Sequence, residues 1–163
     1  MDLVNKVKRL RYEVREIKRL KSKLSLGSMR LIAPDDTQVF DDVDYSIVGF
    51  DQIVESRGDL KVSLDDDSIV VNETGLYSLE IGFCAGFPGT EELNLMTIID
   101  GVPYSSEPAA IQGRNNNKPV SLFWKSTARI KAGQKIQLGA MNGDAGTVTP
   151  RIKRLHFEVK RVG

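Results

Sequence analysis

The sequence predicts a mostly β protein: a β-sandwich head carried on one short α-helix of a parallel coiled coil. Three observations lead there. A heptad seam is confined to the first 24 residues, alternating apolar periodicity runs from residue 29 onward, and the charge changes sign at the same boundary. The division is a basic stalk over residues 1–26 and a head over residues 27–163.

In the stalk, Leu3, Val7, Leu10, Val14, Ile17 and, after one polar break, Leu24 recur at alternating steps of four and three. Val7 and Val14 take heptad position a, and Leu3, Leu10, Ile17 and Leu24 take d. One helix cannot bury so narrow a stripe, which must be shared with other helices. Glu13 at g and Lys18 at the next e favour parallel, in-register pairing. Lys6 and Arg11 would repel across the same seam, and Lys21 interrupts position a. Valine at a with leucine at d leans to two strands and Ile17 at d to more, so the seam alone leaves both open. With these defects the head must supply most of the association energy. No Gly or Pro breaks the helix before Gly27, which is expected to stop it and, with Ser28, to form the joint.

Residues 1–24 hold nine basic against three acidic side chains, leaving 14 and 19 for the rest of the chain. Clustered on a rod of roughly 35 Å, such charge seeks an anionic partner. Lys8, Arg9, Arg11, Arg15, Lys18 and Arg19 are the candidate anchoring charges. A solvated helix face and docking onto an acidic protein shell both account for them. Nucleic acid fits poorly, because only Tyr12 interleaves the bases and the charges flank the seam itself. The chain as a whole has the composition of a folded soluble domain, with 40% hydrophobic and 28% charged residues. No apolar run approaches the roughly 18 residues that cross a bilayer, and no secretory core marks the N-terminus, so synthesis in a host cytoplasm without export is expected.

In the head, residues 29–32 read as a first strand ended by Pro34-Asp35-Asp36, and residues 37–46 as acidic and irregular. Residues 47–50 and 53–54 are apolar, and residues 60–64 alternate. Asp65-Asp66-Asp67 marks a turn into residues 69–71. Tyr77, Leu79, Ile81 and Phe83 share one face of the next strand. Residues 93–99 run into an Asp100-Gly101 hairpin turn. Residues 108–119 read as an exposed loop, 120–130 as a strand, 131–134 as a tight turn into 136–138, and 152–162 as the last strand. Eight to ten short strands indicate two packed sheets.

Several pieces, in this order, resemble the C1q/TNF-like trimeric jelly roll. They are residues 48–54, then 70–79 through Gly75-Leu76-Tyr77, then Ile98-Ile99-Asp100-Gly101-Val102-Pro103, then 128–138, where Gln134 replaces the family's usual Asp, and finally the strand through Leu155 and Val159. Their order carries the weight, since each motif alone could belong to any hairpin. The resemblance covers roughly residues 28–163. It implies a ten-stranded jelly roll trimerising about a parallel threefold axis above a stalk, which resolves the choice between two and three strands. With neither collagen repeats nor a secretion signal, the stalk and knob look more like trimeric fibres, spikes and decoration proteins of tailed bacteriophages.

Chemistry is sparse. The lone histidine, His156, reads as an ordinary strand residue, and the lone cysteine, Cys84, as a buried free thiol. No catalytic, cofactor or metal residues are assigned and no cofactor is expected. The acidic groups Asp35-Asp36, Asp41-Asp42-Asp44 and Asp65-Asp66-Asp67 read as solvated turns, with calcium as the alternative. Tyr104, Arg114, Asn115 and Asn116, with Asn117, are the candidates for recognition at an apex. The expected role is a non-enzymatic homotrimeric capsid-decoration or head-fibre protein at the virion surface, bound to other virion proteins through its helix, without nucleic acid or membrane insertion. Two alternatives stay open: a receptor-binding knob for host-surface saccharide or protein, and a non-viral C1q-like binding module.

Overall fold

The computed structural model describes residues 3–31, 36–104 and 108–163, with backbone alone at 21–24 and 36. The side chains of Lys21, Leu24 and Asp36, and Ile32, Pro34 and Asp35 altogether, lie outside the described residues. One helix, α1 (Leu3–Leu24), precedes β1 (Leu26–Leu31), β2 (Asp36–Thr37), β3 (Ser46–Ile47), β4 (Gln52–Arg57), β5 (Leu60–Ser63) and β6 (Ser68–Val71). Then follow β7 (Gly75–Gly86), β8 (Glu92–Ile99), β9 (Val102–Pro103), β10 (Ala109–Gln112), β11 (Pro119–Ile130), β12 (Lys135–Asn142) and β13 (Arg151–Arg161).

The strands form two antiparallel sheets. The first runs β11-β7-β13-β1-β4 with β2 added to β13. The second runs β10-β8-β12-β6-β5 with β3 beside β12 and β9 beside β8. Sequence neighbours are split between the sheets, so β1 lies between the last strand, β13, and β4. Alternation explains the layering, because each strand turns every second side chain inward. Met29, Tyr77, Leu79, Ile81, Leu155, Phe157 and Val159 of the first sheet meet Ile69, Val71, Leu93, Leu95, Ile136 and Leu138 of the second, all fully or almost fully buried. Phe50 stacks on Phe157 at 6.3 Å between ring centroids. Tyr77 keeps its hydroxyl satisfied by donating to the Glu73 carbonyl at 2.6 Å, which removes the cost of burying it.

Two expectations change. Residues 108–119 contain β10, with Ala109 and Ile111 buried, so only the tip at 114–118 is an exposed turn. Gly27 does not end the helix; it lies inside β1, where a Cβ would stand 3.0 Å from Ile69 and 3.1 Å from Val62. Glycine is there because the two sheets approach closely, not because the chain turns.

The helix stops at the residue before β1. Ser25 is fully buried and its carbonyl accepts the Arg161 N–H at 3.2 Å. Its hydroxyl donates to Asp59 Oδ2 at 3.1 Å and accepts the Asp59 N–H at 3.1 Å. Gly58, at φ 69°, makes this contact possible, since a Cβ there would sit 2.7 Å from the Ser25 Cα.

The acidic turns serve the backbone. Asp67 accepts the Phe50 N–H at 2.8 Å, and Asp41 accepts those of Val43 and Asp44 at 3.2 and 3.3 Å. Asp66 pairs with Lys135 and accepts the Ser68 hydroxyl at 2.7 Å. The Lys135 hydrogen bond first, then that of Ser68, holds the Asp66 carboxyl down at about 2. Asp100 and Gly101, at φ 51° and 79°, make the expected hairpin turn.

Gly58→Ala should destabilise the fold by roughly 2 kcal/mol or more, through both φ and the clash with Ser25; urea unfolding checks it. The Asp66 pKa is depressed, so its stabilising pair is present above the ordinary value of 3.8 and lost as pH falls through about 2. Lys135→Met should flatten that part of the acid-unfolding profile, and an unchanged profile would exclude the pair as its source.

Candidate oligomerisation and recognition surfaces

Leu3, Val7, Leu10, Val14 and Ile17 are 74%, 41%, 59%, 49% and 63% exposed on α1. They lie on one side of the helix, as their spacing requires, and stay exposed even where Val14 and Ile17 border the head. Two further residues extend the stripe: Val4 at e and Leu20 at g are 55% and 52% exposed. Sequence reasoning passed over both because they fall outside a and d. Their apolar character at flanking positions was the available signal. The stripe is therefore wider than a strict a/d seam.

The anchoring candidates Lys8, Arg9, Arg11, Arg15, Lys18 and Arg19 are all exposed on the same helix. Arg9 pairs with Glu13 at 2.8 Å and Arg19 with Glu16 at 2.9 Å. Glu13, expected to face Lys18 of another helix, is thus engaged within its own. Arg9 is raised above the usual arginine value by its hydrogen bond to Glu13. Exposed pairs of this kind stabilise little, because solvent screens them.

An ionic clamp ties the last strand to the foot of the stalk. Arg161 Nη1 donates to Asp59 Oδ2 at 2.9 Å and to Glu73 Oε2 at 2.6 Å. Asp59 is 4% exposed and also holds Ser25. Val14, Ile17 and Lys18 of α1 border a recess of about 260 Å³ with Glu73 and Arg161, so the clamp lies against the helix. The Glu73 hydrogen bond leads in raising Arg161 above its usual value.

The expected apical group is divided. Asn116 and Asn117, at φ 66° and 54°, close the tip between the bridged residues Arg114 and Lys118. Backbone bonds from Asn116 and Asn117 to Pro88 and Phe87 hold that tip at the end of the sandwich away from the stalk. Arg114, Asn115 and Asn116 are exposed there. Tyr104 instead borders a shallow recess with Arg129 and Gln134, near the stalk. The 12-residue β11 separates the two, a span of about 35 Å at a strand's rise per residue. The distal end also gathers Asp41, Glu92 and Asp144: Asn142 N–H reaches the Asp41 carbonyl, and Asp144 accepts the Glu92 N–H.

The outward face of the first sheet carries a feature with no local sequence signature. Phe123 of β11 is 70% exposed there, while Trp124 packs against the core. Register places Phe123 beside Gly82, Gly82 beside His156, and His156 beside Arg30. In the next row Ser121 neighbours Cys84, and Cys84 neighbours Arg154. Arg154 and His156, two apart on β13, both turn to this face, although a bulge at Lys153 leaves Arg154 out of phase with the inward-facing Ile152. Together these groups line a trough of about 580 Å³. Cys84 is correspondingly half-buried rather than sealed in the core, because Phe83 and Ala85 point inward and Cys84 points out.

With two antiparallel sheets, β1 paired to the final strand, and a solvent-facing stalk in view, comparison with known proteins becomes informative. The fold is a C1q/TNF-like jelly roll. The globular domain of zebrafish complement 1qA superposes with a TM-score of 0.60 at 13% identity, over 86% of this chain and 98% of that one. The Eiger TNF of S. frugiperda gives 0.57 at 12% identity, over 86% and 94%. Murine APRIL, in a structure at pH 5.0, gives 0.55 at 15% identity, over 85% and 100%. Neither a family model nor a curated protein matches the chain. At such identities the likeness concerns the jelly roll alone.

Asp59→Ala should leave Arg161 with Glu73 as its remaining carboxylate and remove the Ser25–Asp59 contact, lowering stability by roughly 2 kcal/mol. Hydrogen exchange at the Leu24–Leu26 junction should accelerate more than in the sheets. Uniform acceleration would show that the clamp does not specifically seat the stalk.

Proposed function

We propose that this chain is a homotrimeric, non-enzymatic structural protein of a tailed-bacteriophage virion. In this reading it is a head-decoration or head-fibre protein, fixed to the particle by its N-terminal helices with the jelly roll projecting at the virion surface. The observation that carries the proposal is the seam: Leu3, Val7, Leu10, Val14 and Ile17 stay 41–74% exposed while the head completes its own core. A row of large aliphatic side chains in water is a contact surface awaiting its partners, and its heptad spacing suits parallel copies of itself. Val4 and Leu20 widen it towards more than two helices, and the C1q/TNF resemblance supports three. The basic side chains on either side of the seam suit an acidic particle surface.

A second reading, a receptor-binding knob, is favoured by one feature. Arg114, Asn115 and Asn116 are presented at the end of the sandwich opposite the stalk, where a host saccharide or protein would be met.

Sedimentation of the full chain should give three copies at micromolar concentration. Leu10→Asp, which places a charge in the seam, should raise the dissociation concentration at least about tenfold. Charge reversal at Arg11 and Arg15 should preserve the mass but abolish binding to virions. A monomer, or undiminished virion binding by the reversed variant, would defeat the reading.

A further inference from the structure

We propose that one flank of the stalk, the row Lys8, Arg11, Arg15 and Lys18, docks an acidic α-helix of another protein whose carboxylates recur at alternating steps of three and four residues. The proposal rests on the anchoring role given to α1 above, and it names the chemistry of what the stalk meets.

The two flanks of the seam are not equivalent. Lys8, Arg11, Arg15 and Lys18 recur at steps of three, four and three, so they form a single row along the helix. Arg11 and Arg15 border the seam itself, around a hollow of about 350 Å³ with Val7, Leu10 and Val14. All four are exposed, and among the described residues none has an ion pair or a side-chain hydrogen bond. Across the seam the opposite flank holds Lys6, Arg9, Glu13 and Glu16, and its acids are spent within the helix: Glu13 takes Arg9 and Glu16 takes Arg19. The head offers the row no carboxylate either. Lys18 borders a recess with Glu73, but Glu73 is committed to Arg161. The basic excess of the stalk is therefore concentrated on one side, over about 15 Å of helix axis.

Like charges in such a row repel one another until an anionic partner lies beside them. A helix with acids at the same spacing sets one carboxylate opposite each base, as e and g residues do between the strands of a coiled coil. The two arginines add planar forks that match carboxylates. Val4 belongs to the same row and is 55% exposed, so the partner also meets an apolar contact at the end farther from the head. A phosphate backbone has no use for that valine. In a parallel bundle, Glu13 and Glu16 of the adjacent copy border the same groove. They repel a polyphosphate, whereas a protein helix can answer them with lysine. The repulsion between Lys6 and Arg11 is relieved by the same partner.

Fluorescence anisotropy with the full chain at physiological ionic strength tests this. The probe is a labelled alanine-based helix with glutamates at the stated spacing. Its controls are a peptide of identical composition with the glutamates scattered round the helix, and a DNA duplex. Saturable binding of one peptide per chain is expected, at least about tenfold tighter than for the scattered peptide. Arg11→Gln/Arg15→Gln should weaken it about tenfold or more, and Arg9→Gln/Arg19→Gln by less than about twofold. Glutamine keeps the helix propensity, which circular dichroism verifies. Equal binding of the two peptides, equal losses in the two double variants, or tighter binding of DNA would overturn the proposal. Sedimentation in the same buffer separates it from the reading beneath it. A trimer that ignores the spaced peptide sinks the docking site alone. A monomer that binds it through Arg11 and Arg15 keeps the site and sinks the trimeric reading.

Discussion

The contact between Ser25 and Asp59 governs the architecture, because the chain has a single residue in which to pass from helix to strand. Ser25 is neither, and it is fully enclosed. Its hydroxyl and carbonyl are bound to the Asp59 turn and to β13, so α1 leaves the head from a fixed point. β1 is hydrogen-bonded on both edges from its first residue, which denies the joint the play of a free linker. Buried polar groups satisfied in this way specify one arrangement, since any other leaves a donor or acceptor without a partner. The stalk's apolar stripe is therefore presented in one direction rather than swept through many.

Arg161 extends the same logic to the end of the chain. It gathers carboxylates from the β4–β5 turn and the approach to β7, elements more than 80 residues away in sequence. Desolvation makes a buried pair a weak source of net stability, yet losing one partner is costly. Such a group is better understood as specifying position than as adding strength, and its place beside Val14 and Ile17 matches that role.

The sequence was most legible where a local pattern had a local cause. The alternation of Tyr77, Leu79, Ile81 and Phe83 follows from the two-residue repeat of a strand, and Asp100-Gly101 from the positive φ angles of a tight hairpin. It was least legible where one residue type answers to several causes. Gly27 has the form of a helix stop, but what demands it is Ile69 and Val62 across the sandwich. β10 was hidden because two alanines between a proline and an asparagine run carry little strand signal. Cys84 looked buried because its neighbours are apolar, and in a strand neighbours face the other way. The trough escaped altogether: its residues come from β1, β7, β11 and β13, which only the strand order brings side by side. Tyr104 and Arg114 are ten positions apart, which says nothing of the length of sheet between them.

The pairing of Leu76 with Gly163 has a practical outcome. Leu76 N–H donates to the Gly163 carbonyl at 2.8 Å, which brings the final residue back to the foot of the sandwich, near where α1 enters. A peptide tag appended after Gly163 would emerge beside the point where α1 meets the sandwich. Cargo meant for outward display belongs instead in the Asn115–Asn117 turn, where the backbone already reverses in the open.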